Sequence, residues 1–236
     1  MTPDYILHYA PDNASLIVRL ALEELGVAFK TRLVDRGARA QASAAYLQLN
    51  PHGLIPVLET PDGPIFETGA ILLWLADRHG RLAPSPDDHA RAAFLKWLFF
   101  VANTLHPALR MMFYAEKYAG PDEAVQISLR TQMQGEISRH LDRIETAAGQ
   151  GHGWLNGKTP SILDLYLGPC LRWLVLYPLP EGGASWFRLA DRQNLLNLCA
   201  RLETRACVKR ASEAEGLGLR PFTAPDYADP PEGSAT

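Results

Sequence analysis

The sequence predicts an α/β unit followed by an all-helical one, and three observations carry that prediction. The chain opens in the order β-α-β, with short apolar runs on either side of one helical stretch. Two further short strands and a helix follow, which gives β-α-β-α-β-β-α for the first unit if the connection between the two groups is helical. Beyond a proline-rich break at 80–88, nearly every segment has helical periodicity.

Each element has its own reason. Residues 5–9 (YILHY) are an apolar run stopped by Pro11-Asp12-Asn13, so they read as a buried strand. Over 13–25, Val18, Leu22 and Leu25 recur at helical spacing and Gly26 ends the pattern. Residues 28–34 return to an extended pattern, and a parallel crossover between the two strands is right-handed. After an irregular or helical connection over 35–50, Val57–Thr60 and Pro64–Phe66 flank the turn Pro61-Asp62-Gly63. A helix is predicted over 68–79, with Thr68 as its N-cap and Gly80 as its stop.

In the helical part, Phe94, Trp97, Leu98, Val101 and Leu105 form one apolar stripe. Leu129, Met133, Ile137, Leu141 and Ile144 form another, and Gly120-Pro121-Asp122-Glu123 separates the two. Residues 162–176 are apolar on nearly all sides and predict a central, buried helix. The expected boundaries are a first domain at 1–80, a linker at 81–88, a helical domain at 89–216 and a wrapped or mobile tail at 217–236.

Composition narrows the function classes. Among 236 residues, 47% are hydrophobic and 21% charged, which suits a packed core. A net charge of -3 without a basic cluster argues against a nucleic-acid partner. No apolar run approaches a membrane span, and the first residues read as a strand and not a signal peptide. Cys170, Cys199 and Cys207 are few and scattered, so neither a disulfide framework nor a metal is expected, and the cytoplasm is the simplest compartment.

Five groupings bear on chemistry. A cis Ile55–Pro56 bond would aim the preceding backbone groups at an extended peptide ligand; the alternative is an ordinary proline at a strand start. Glu67-Thr68 at a helix start reads as an amino-acid clamp. The helix N-terminus and the Thr68 hydroxyl suit a carboxylate, and Glu67 suits an ammonium, unless the pair only caps the helix. At the first helix start, Ser15, Asn13 or Tyr9 could donate to a thiol and stabilise its thiolate, unless Asp12 or Asn13 simply caps. Asn103, His106 and Arg110 share a helix face that Phe99 and Phe113 extend, beside a kink expected at Pro107. That face is either an acceptor pocket or a surface stripe. Ser161 and Asp164 have the spacing of a capping box and read as structural.

Together these features resemble the cytosolic glutathione S-transferases over roughly residues 5–215. NPHGLIPVLE and DGPIFETGAILLWLADRHG are similar to that family's glutathione segment, and WLNGKTPSILDLYL is similar to its second-domain folding motif. The resemblance implies a thioredoxin-like first domain, glutathione as co-substrate and a two-fold homodimer. It implies that Ile55, before a cis Pro56, binds the cysteinyl backbone and that Glu67 and Thr68 hold the γ-glutamyl end. Arg39 or Arg36 would reach the glycyl carboxylate. HYAPDNAS and the pair Leu105-His106 look like the bacterial beta class, with theta-like features. Ala14, however, stands where the beta-class cysteine falls, so the activator order expected is Ser15, then Asn13, then Tyr9. The implied reaction is thiolate attack on a small, largely apolar electrophile lodged against Phe99, Asn103, His106, Arg110 and Phe113. Glutathione-dependent isomerisation, dehalogenation or ether cleavage is the alternative enzymatic reading, and a glutathione-binding scaffold the non-enzymatic one.

Overall fold

In a computed structural model, residues 4–177 and 186–235 are described. Met1–Pro3 of the opening segment and Thr236 of the tail lie outside them. Strands β1 (Tyr5–Tyr9), β2 (Phe29–Leu33), β3 (Val57–Thr60) and β4 (Gly63–Phe66) form one sheet in the order β2-β1-β3-β4. β1 runs parallel to β2 and antiparallel to β3, and β3 runs antiparallel to β4.

Alternation along β1 sorts the two faces. Tyr5, Leu7 and Tyr9 point into the main core with helix α1 (Ser15–Leu25) and helix α3 (Thr68–His79). His8 points the other way, where its ring meets Tyr46 of helix α2 (Ala44–Leu49) at 5.8 Å. Val34, Tyr46 and Val57 form a smaller core on that side. Gly26 and Gly80 end α1 and α3 in left-handed geometry, as their positions predict.

The helical domain contains α4 (Arg91–Phe100), α5 (His106–Phe113), the short α6 (Glu116–Ala119), α7 (Glu123–Ala148), α8 (Ile162–Leu176), α9 (Gln193–Glu203) and α10 (Ala206–Glu215). Asp122 caps α7 by accepting from the amides of Ala124 and Val125. Ser161 and Asp164 make both halves of the predicted capping box on α8. Burial pushes the Asp164 carboxyl up to about 6, against the backbone N–H groups of Ser161 and Asn156 that favour its charged form. α8 is the hub: it packs on α1, α3, α5 and α9, so nearly all of its residues are buried. α1 lies between the sheet and the helical domain, which explains why Leu16–Leu22, Arg19 among them, are buried with no exposed face.

Two local expectations are corrected. Thr68 is the first helical residue of α3, and the N-cap position belongs to Glu67, whose backbone sits at φ 72° without a side-chain cap. Pro107 does not break the helix. A π turn over Val101–Leu105 joins α4 to α5 and leaves the proline in the first turn of α5, where its missing N–H is tolerated. Among the described residues, no helix is long and apolar enough to cross a membrane.

Candidate active site

The candidate clamp forms where β4 turns into α3. The Ile55–Pro56 bond is cis and immediately precedes β3. Tyr46 Oη and Asn50 Nδ2 donate to the Leu54 carbonyl at 2.9 and 2.8 Å, which pins the loop from behind. Glu67 is exposed, and no hydrogen bond or ion pair engages its carboxylate among the described residues. Its carbonyl accepts from the Ile71 amide at 2.9 Å, the first hydrogen bond of α3, which leaves the amides of the first turn without partners inside the helix. Thr68 is buried beside it. Gly69 permits the close approach of the helical domain, because a Cβ there would lie 3.2 Å from that of Ala102.

A polar chain crosses from this clamp to α5. Thr68 is a polar neighbour of the Tyr166 hydroxyl, which stands 2.9 Å from His106 Nδ1. Burial, with Arg110 nearby, pushes the His106 imidazole down to about 4, so it is neutral at physiological pH. The His106 ring lies 5.9 Å from that of Trp173, whose indole N–H donates to Asp12 at 2.8 Å.

Asp12 governs the β1–α1 loop. Its backbone is left-handed at φ 48°, and its buried carboxylate accepts from Arg172 Nε and Nη2 at 2.9 and 3.0 Å. Its own amide donates to Glu215 at 2.8 Å, and Arg19 Nε donates to the same carboxylate at 2.6 Å. Burial pushes the Glu215 carboxyl up to about 7, opposed by Arg19. Sequence reasoning missed this network, although Arg172 within an otherwise apolar helix signals a buried partner.

The three activator candidates differ sharply. Ser15 is fully buried; its hydroxyl donates to the Ala10 carbonyl at 3.0 Å and accepts from the Ala10 amide at 3.2 Å. Its only proton is therefore held within the loop. Asn13 is half-buried; its Oδ1 accepts from the Ala14 amide at 2.8 Å, and nothing engages its Nδ2 among the described residues. Tyr9 donates its hydroxyl to Glu232 in the tail.

Of the two arginines, Arg39 is exposed in left-handed geometry, whereas Arg36 donates to the Ala235 carbonyl and the Tyr114 hydroxyl at 2.8 and 3.2 Å. On the helical side, His106, Arg110 and Phe113 are half-buried on α5, and Phe113 meets Tyr177 edge-on at 6.2 Å. Phe99 and Asn103 are exposed on α4 and the π turn. The three cysteines are buried, and burial raises each thiol above its usual range. Among the described residues, no group of three or more His, Cys, Asp or Glu is placed to hold a metal.

A mixed four-stranded sheet packed with helices and followed by a helical domain defines a thioredoxin-like, two-domain fold. Residues 4–77 match the glutathione S-transferase N-terminal domain, and residues 123–203 match the C-terminal domain. A glutathione S-transferase of Xanthomonas campestris is 31% identical over 89% of this chain and 98% of its own. A disulfide-bond oxidoreductase of Escherichia coli is 31% identical over 69% of this chain and 77% of its own. A Burkholderia graminis glutathione transferase, solved with two glutathione molecules per subunit, superposes with a TM-score of 0.76. It is 27% identical and covers 92% of this chain and 90% of its own. The chain belongs to the glutathione S-transferase family and is an enzyme of that family.

Proposed function

We propose that the chain joins the thiolate of glutathione to a small, largely apolar electrophile. The observation that carries this reading is Glu67: an exposed carboxylate on a backbone at φ 72°, engaged by no hydrogen bond or ion pair among the described residues, at the start of α3. A carboxylate left open there suits the γ-glutamyl ammonium. The α3 amides and the Thr68 hydroxyl suit the adjoining carboxylate. Ile55 is the backbone partner for the cysteinyl unit, and Arg36 or Arg39 the partner for the glycyl carboxylate.

The thiol then falls at the start of α1. Asn13 is its best-supported donor, because Nδ2 is free where the Ser15 proton is engaged. With the helix N-terminus, it favours the thiolate over the thiol. The sulfur lone pair attacks carbon, and either a leaving group departs with its electron pair or a conjugated π bond takes the charge and then a proton. His106, Arg110 and Phe113 line the electrophile side. The same reading includes a two-fold homodimer and a cytoplasmic location.

Calorimetric titration with glutathione, followed by product analysis on a panel of aryl halides and conjugated carbonyls, tests it. The expected result is binding that Glu67→Ala weakens, with glutathione consumed one-for-one with product. Unconsumed glutathione beside a rearranged substrate would make the enzyme an isomerase. Binding without turnover across the panel would make it a scaffold.

A further inference from the structure

The tail returns to the place where a ligand belongs. In open α/β sheets, ligands bind beyond the carboxyl ends of the strands. Here those ends are Tyr9 and Leu33, which pair in the parallel β1–β2 ladder. One step past the His8–Val57 pair, Tyr9 also falls opposite Pro56. The tail covers this corner.

Its path is built in three stages. First, Arg172 Nη2 donates to the Asp226 carbonyl at 2.8 Å, and the Tyr227 hydroxyl donates to the Leu176 carbonyl at 2.8 Å. Next, just before the prolines, the Asp229 amide donates to the Gly216 carbonyl at 2.9 Å, and only a glycine fits at 216: a Cβ would lie 1.9 Å from the Asp229 carbonyl oxygen. Pro230-Pro231 then stiffens the chain. Beyond the prolines, Glu232 takes the Tyr9 hydroxyl, Gly233 packs on Leu33 and Pro11, and the Ala235 carbonyl takes Arg36.

We propose that residues 230–235 are a strap that occupies part of the glutathione site in the unliganded enzyme, so that a carboxylate-bearing ligand must displace it to reach Arg36 and the Tyr9 hydroxyl. This deepens the function proposed above and rests on it. The chemistry is competitive: the strap offers Arg36 a carbonyl oxygen, and the glycyl end of glutathione offers a full carboxylate, the stronger acceptor. The strap also offers Tyr9 a carboxylate. Burial and that neighbouring carboxylate together hold the phenol above its usual range, opposed by Arg19, whose guanidinium lies 4.7 Å over the ring; Glu215 adds to the upward shift.

A chain ending at Asp229 keeps the Asp226 and Tyr227 anchors and loses the strap. By calorimetry it is expected to bind glutathione about five- to tenfold more tightly than the full chain, since its binding-competent fraction no longer has to be released. Glu232→Ala, which frees Tyr9 alone, is expected to give a gain of about two- to threefold. In the full chain, saturating glutathione should speed amide exchange over 232–235. Equal or weaker binding by the shortened chain, or greater protection of the strap with glutathione bound, would overturn the strap while leaving the clamp intact. Loss of binding in both chains would sink the glutathione reading itself, and the strap with it.

Discussion

The candidate clamp at the start of α3 and the loop between β1 and α1, the two ends of the candidate site, are built on opposite plans. At the candidate clamp, no hydrogen bond or ion pair engages the exposed Glu67 carboxylate among the described residues, beside the start of α3. At the β1–α1 loop, Asp12, Arg172, Glu215, Arg19 and Tyr9 all have partners from distant parts of the chain. Exposed groups can be left open for a ligand because water satisfies them in its absence. Buried ones cannot, since an unpaired buried charge is heavily penalised. The candidate clamp therefore has the open groups that the proposed glutathione contact needs, whereas the loop is held in shape by its own protein.

That contrast predicts where substitution harms folding and where it harms binding. The largest effect belongs to the loop. Arg172→Met leaves the buried Asp12 carboxylate without its counter-charge, with only the Trp173 indole still donating to it from a side chain among the described residues, and should cost about 3–5 kcal/mol of stability in urea unfolding. Pairing it with Asp12→Asn should recover part of that loss, because the stranded charge is gone. A double variant no better than the single one would mean that Arg172 acts through its packing alone.

At the clamp the order reverses. Glu67→Ala removes a charge-assisted contact and should weaken glutathione binding by about 2–3 kcal/mol, or roughly 30- to 150-fold. Its unfolding midpoint should barely move, since the carboxylate supports nothing in the fold. An unfolding shift as large as the binding loss would erase the distinction between the two ends.

How far the sequence reveals each end follows from the same contrast. α3 and α8 are legible to the residue, because their signals lie within one helical window: Gly80 after α3, and the Ser161–Asp164 box before α8. The place of Glu67-Thr68 at the start of α3 is legible for the same reason, although the N-cap falls on Glu67 and not on Thr68. The loop is not, because its meaning lies in partners far away. Arg172 stands 160 positions from Asp12, and Glu232 stands 223 from Tyr9. Periodicity places Arg172 on a buried helix without naming what meets it. The π turn ahead of Pro107 is equally hidden, since a proline in a helical pattern announces a disturbance and not the way it is absorbed.

A pH effect links the two ends through His106. Its folded pKa of about 4 lies below the ordinary histidine value of 6.5, so the unfolded chain binds the extra proton first as pH falls. The stabilisation is complete above pH 6.5 and is lost as pH drops through about 4. It amounts to about 2 kcal/mol after allowance for partial exposure. Glu215 and Asp164 slope the other way, because their carboxyls are raised and destabilise the fold as pH rises toward 7 and 6. The clean measurement is therefore a difference: unfolding free energies at pH 7 and pH 4, with and without His106→Asn. The variant should lose less stability than the parent on acidification. An identical loss would place the sensitive group elsewhere.

The smallest effect is the most informative about chemistry. Ser15 and Asn13 both stand at the start of α1, yet one belongs to the buried plan and the other to the open one. Ser15→Ala leaves the Ala10 amide and carbonyl without their partner and should cost about 1 kcal/mol in stability. It should leave the ultraviolet thiolate titration of bound glutathione unchanged. Asn13→Ala should do the reverse, raising the pKa of the bound thiol by about 0.5–1 unit with little change in stability. If Ser15→Ala moves the thiol and Asn13→Ala does not, the serine must leave its Ala10 partners when glutathione binds, and the loop is not the closed structure its hydrogen bonds describe.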